Sequence, residues 1–77
     1  MDILELAKET EYNAKEEAQA IYDYTEMLNK VVKSEIDEET KNTIKDVISE
    51  IISDELNHEM KLRELYTFLT GIETNKE

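Results

Sequence analysis

The chain contains no proline, and its one glycine, Gly71, lies close to the C-terminal end. A sandwich or barrel needs tight connections every few residues, and those connections are built from residues this chain lacks. Long helices are the remaining way to organise it. Charged residues make up 38% of the sequence. An acidic chain of that kind is either a solvated, disordered segment or a set of amphipathic helices. Periodicity separates the two.

Asp2 followed by Glu5 forms a capping box that opens a helix. Ile3, Ala7, Thr10, Ala14, Glu17, Ile21, Tyr24, Leu28 and Val31 then recur at alternating steps of four and three, an unbroken helical stripe. Lys30 and Lys33 complement the carbonyl end of the helix dipole, so this first helix is expected over about 3–33. Asp37, with Glu38 and Glu39 behind it, opens a second helix over about 38–70. Its stripe runs Ile44, Ile48, Ile51, Glu55, His58, Leu62, Leu65 and Leu69, and Gly71 is the expected stop, leaving 72–77 as a flexible tail. The connection around Ser34–Asp37 is short, so residues 1–71 read as one antiparallel hairpin. The stripes mate in a single register: Leu28 opposite Ile44, Tyr24 opposite Ile48, Ile21 opposite Ile51, Thr10 opposite Leu62, Ala7 opposite Leu65 and Ile3 opposite Leu69. Glu17 then faces Glu55, and Ala14 faces His58.

A 77-residue chain rarely buries enough apolar surface to stand alone. With no cysteine, disulfides and thiolate metal sites are excluded. Self-association or a metal held by oxygen and nitrogen ligands remains. Leu6, Met27, Val32, Val47, Ile52 and Tyr66 widen the apolar faces beyond what two helices cover, so a second copy is expected, giving a four-helix bundle. The net charge of -11 repels a phosphate backbone, which excludes nucleic acid as a partner. No apolar run reaches membrane-spanning length, and no basic start precedes an apolar core, so neither a membrane location nor a signal peptide is expected and the location defaults to the cytoplasm.

Glu17, Glu55 and His58 interrupt the apolar stripes at one level. A buried carboxylate without a partner is costly or takes up a proton, so three ionisable groups on a seam need a reason. Glu55 and His58, three residues apart on one helix, point to the same side, and Glu17 arrives from the facing helix. A two-fold axis doubles the set to four glutamates and two histidines, the donor inventory of carboxylate-bridged di-iron and di-manganese helical bundles. Such ligands suit Fe(II), Mn or Zn rather than Cu(I). Glu55 is expected to bridge two ions, with Glu17 and His58 as terminal ligands. Asp54 is a candidate acceptor for the second ring N–H of a neighbouring His58, and Tyr24 a candidate donor to a ligating carboxylate.

The run Glu17-Ala-Gln-Ala-Ile-Tyr-Asp-Tyr24 resembles the E-x-x-A-[IV]-x-x-Y signature of ferritin-like proteins, and Asp54-Glu55-Leu-Asn-His58 resembles their D-E-x-x-H motif. The organisation is similar to the half-bundle members, the encapsulated ferritins and each half of rubrerythrin, over residues 10–69. The resemblance implies a di-iron centre at a subunit interface, oxidation of Fe(II) or reduction of peroxide, and a homo-oligomer that is at least a dimer. Packaging in a protein shell stays open, because the tail after Gly71 carries no obvious encapsulation peptide. Gln19 and Ala20 stand where rubrerythrin-type sites have a further carboxylate, and these 77 residues contain no cysteine for a rubredoxin-like electron-transfer unit.

The competing reading is a metal-free or zinc-stabilised helical hairpin that works as a small dimeric adaptor or inhibitor through its apolar face. It predicts folding without metal and has no need of carboxylates at a shared level. Glu16, Glu50 and Glu59 read as a solvated acidic face, with Glu16 or Glu59 as a sharper alternative, a site that guides cations inward. Tyr12, Tyr22, Tyr24 and Tyr66 read as packing and rim residues.

Overall fold

A computed structural model describes residues 2–74, with the side chain of Glu73 left out. Two helices occupy nearly all of it, α1 (Ile3–Lys33) and α2 (Glu38–Thr74), folded back on each other as a hairpin measuring 61 × 16 × 13 Å. No helix among the described residues is long and apolar enough to cross a membrane.

Both helix starts form as the capping residues dictate. The Asp2 carboxylate accepts from the Glu5 amide at 2.8 Å, and the Asp37 carboxylate accepts from the Thr40 amide at 3.0 Å. The turn between the helices is closed by side chains. Ser34 ends α1, with its own amide and its hydroxyl both donating to the Val31 carbonyl. The Lys41 ammonium, largely buried, reaches back from α2 to donate to the Val32 carbonyl at 3.1 Å. A cation on the terminal carbonyls of α1 satisfies an orphan acceptor and complements the helix dipole, so Lys41 ties the two helices at the closed end.

The seam is thin. Ala7, Thr10 and Ala14 on α1 are almost fully buried, and on α2 only Ile48 and Leu69 reach the same state. The small α1 residues let the backbones approach closely. Thr10 is accommodated because its hydroxyl donates to the Leu6 carbonyl one turn back at 2.8 Å. No large side chain among the described residues is fully buried.

Two features of α2 differ from expectation. Gly71 does not end the helix: α2 continues to Thr74, and Gly71 has no positive φ. The expected tail is therefore helical over 72–74, while residues 75–77 lie outside the described residues. A glycine disfavours a helix interior by only about 1 kcal/mol. Here Leu69 and Ile72 continue to pack, and the Thr70 and Thr74 hydroxyls bond carbonyls of the preceding turn.

The second difference is the seam itself beyond Glu55. His58 and Leu65, expected on it, are exposed, while Glu59 and Tyr66 are half-buried instead. Residues 41, 44, 48, 51, 52, 55, 59, 62, 66, 69 and 70 form the inward line, which passes through 59 and 66 in place of 58 and 65. A straight helix of 3.6 residues per turn drifts about 20° per heptad away from a strict seven-residue pattern, which carries 58 and 65 outward and brings 59 and 66 in.

Candidate metal centre

Glu17 lies at mid-length on α1, and Glu55 and His58 occupy one turn of α2. Each offers a ligand atom, and those atoms lie within 4.8 Å of one another. The expected pairing of Glu17 with Glu55 across the hairpin is present. His58 is placed differently from expectation: instead of facing Ala14 on the seam, it stands on the solvent edge of the site with 58% of its side chain exposed. Its Nδ1 is 3.7 Å from Glu17 Oε2, too long for a hydrogen bond.

Glu17 is more enclosed than His58. Its side chain is 26% exposed, and its Oε2 is fully shielded with no hydrogen-bond partner. A shielded carboxylate oxygen without a donor is expensive, and a cation is the species that compensates it. Glu55 responds to this neighbour. Its carboxyl is held above the usual carboxylate range chiefly because, when protonated, it hydrogen-bonds Glu17, and further because of partial desolvation and the Glu17 charge. The nearby His58 acts in the opposite direction, and Asp54 adds a smaller upward push. A cation between the two carboxylates would relieve the same crowding that raises Glu55.

The donor set passes the chemical test for a hard or borderline divalent ion: two carboxylates and one imidazole, convergent and open on one side. Asp54, the candidate partner for a histidine N–H, is exposed on α2 next to Glu55. Tyr24 is half-buried two turns along α1 from Glu17, where it lines an apolar groove of about 330 Å3 with Met27, Ile44, Val47, Ile48 and Ile51. It leaves Glu17 Oε2 without a donor.

One residue beside the centre escaped the sequence reading. Glu59 is not on a solvated face: only 18% of its side chain is exposed, and its Oε2 accepts from Arg63 Nη2 at 2.9 Å and Nε at 3.0 Å. The available signal was the Glu-to-Arg spacing of four, the favourable order for a helix ion pair. An 11-residue step from Ile48 also reaches Glu59. No family model, curated protein or solved structure matches the chain.

Proposed function

We propose that the hairpin pairs with a second copy as a four-helix bundle holding a di-iron centre, and that it oxidises Fe(II) at the expense of dioxygen or peroxide. The observation carrying this reading is the shielded, donor-less Glu17 Oε2 between Glu55 and the His58 ring. A cation would account for all three groups together. One chain supplies three ligands, few for an ion with no further protein ligand, and the site is open where His58 faces solvent. A two-fold partner on that side completes the set.

Surface area supports the pairing. The chain exposes 5935 Å2, whereas a compact 9.0 kDa protein is expected to expose about 4,850 Å2. The excess of about 1,100 Å2 compares with the roughly 800 Å2 each partner contributes to a standard interface.

In this reading Glu17, Glu55 and His58 bind the metal. A bound iron pair supplies the electrons that reduce the oxidant. The chain's own task is positional and electrostatic. Glu17 and Glu55 lower the charge of the ions and hold them together. Glu55 would bind the metal as a carboxylate, and Asp54 would orient the His58 of the second copy by accepting its free ring N–H. The acidic surface concentrates Fe(II) and favours its entry, and the cytoplasm is the location that goes with this activity.

The test is iron oxidation under air followed by near-ultraviolet absorbance, with the size of the particle measured by sedimentation in parallel. Glu55→Ala is expected to abolish rapid oxidation. Oxidation at the parental rate in that variant overturns the site, and a monomer both with and without metal overturns the interface. The adaptor reading would survive such a result, since it asks nothing of the three ligands.

A further inference from the structure

Arg63 is the single arginine of the sequence, and it is committed to one carboxylate. Both Nε and Nη2 converge on Glu59 Oε2, at 3.0 and 2.9 Å. Glu59 is no ordinary surface acid. It lies on the helix–helix seam one turn beyond Glu55 and adjacent in sequence to His58, and it is more enclosed than Glu17. An unrestrained carboxylate at that position has a cation site within one helical turn. Helical geometry shows what Arg63 does about it. His58 and Arg63 project about 140° apart around α2, with Glu59 between them, about 100° from His58 and about 40° from Arg63. The ion pair therefore draws the Glu59 carboxylate to the opposite edge of the seam from the His58 ring. Consistently, Glu59 is not a member of the convergent group.

We propose that Arg63 is a positioning residue that withholds Glu59 from the metal centre and so keeps it at three ligands per chain, with coordination positions left for the oxidant. This rests on the metal reading given above. A guanidinium suits the task because two of its N–H groups grip the same carboxylate oxygen at once and hold it in place. Without Arg63, Glu59 swings about one turn back and becomes a fourth ligand from the same chain. The centre then binds divalent ions more tightly and loses an open position.

Cobalt(II) is the probe, because its affinity and visible d–d spectrum report the ligand set without any turnover. Arg63→Met is expected to raise Co(II) affinity about tenfold and to change the spectrum, in line with how an added carboxylate strengthens a hard-ligand site. Lys61→Met removes the same charge two residues away without touching Glu59, and its effect is expected to stay within about twofold. Adding Glu59→Gln to Arg63→Met restores the parental affinity and spectrum. Glu59→Gln alone leaves the spectrum of the parent unchanged, a result that does not depend on the Arg63 variant folding. Equal gains from Arg63→Met and Lys61→Met, or a changed spectrum in Glu59→Gln alone, overturn the proposal while leaving the metal centre intact. Failure of the parent to bind Co(II) overturns both.

Discussion

Glu55 concentrates the conflict in this hairpin. Its carboxyl takes a proton more readily in the folded chain than in an unfolded one, because Glu17 stands beside it as hydrogen-bond acceptor and as like charge. The folded state therefore binds more protons than the unfolded state between the ordinary carboxyl value of 4.5 and the raised value. Stability falls as pH rises through that window and remains lowered above it. The ion-free protein is expected to melt at a higher temperature at pH 5 than at pH 7 in the presence of a chelator. Glu55→Gln is expected to raise the melting temperature at pH 7 and flatten this dependence while losing metal binding. Circular dichroism melts across the range check both, and a parental slope in the variant would remove Glu55 as its source. Asp37 has the opposite sign. Hydrogen bonds from the Thr40 amide and hydroxyl hold its carboxyl below the usual 3.8, so its contribution is present above that value and is lost as pH falls through the lowered one. The two acids are separable because they act in different pH windows.

α2 shows what a helix tolerates when its packing continues. Gly71 has negative φ, and a Cβ added there would meet nothing within 4 Å. Gly71→Ala is therefore expected to stabilise the hairpin by about 0.5–1 kcal/mol, mainly by restricting the unfolded chain, a rise of several degrees in melting temperature. An unchanged or lowered melting temperature would mean that the last turn of α2 is not held in solution. The sequence disclosed α1 fully because its stripe, caps and terminal lysines all point the same way. It disclosed the start of α2 and the Glu17–Glu55 pairing for the same reason. Gly71 misled because a helix-stop residue type carries a preference, not a command, and Leu69 and Ile72 outweigh it. His58 and Leu65 misled because the seven-residue pattern runs through them, while the 3.6-residue turn of the helix brings Glu59 and Tyr66 inward at the same levels. Residue spacing could name the three convergent groups, but it could not show that His58 sits on the solvent edge or that Arg63 restrains Glu59.

An antiparallel hairpin of this length buries one stripe per helix and leaves its flanks to solvent. The flank that matters runs along the groove of Tyr24, Met27, Ile44, Val47 and Ile51, with Met27 48% and Val47 52% exposed. His58 and Leu65 belong to the same side of α2 as Val47, at spacings of 11 and 18 residues, close to whole turns of a 3.6-residue helix. The drift that removes His58 and Leu65 from the hairpin seam thus places them on the groove's side of α2, in one strip with the candidate metal group. In the proposed dimer, a second copy laid on this strip about a two-fold axis would cover the groove and bring two sets of Glu17, Glu55 and His58 together. Val47→Asp places a charge on the groove without altering the seam or any of the three ligands. It is expected to turn a dimer into a monomer by sedimentation and to cut iron oxidation at least about tenfold, since each isolated chain keeps only half of the ligands. Helicity should persist in the variant, because Val47 is exposed within the hairpin. A Val47→Asp dimer with parental activity would move the interface to another face, and a monomer with parental activity would show that one hairpin suffices for the chemistry.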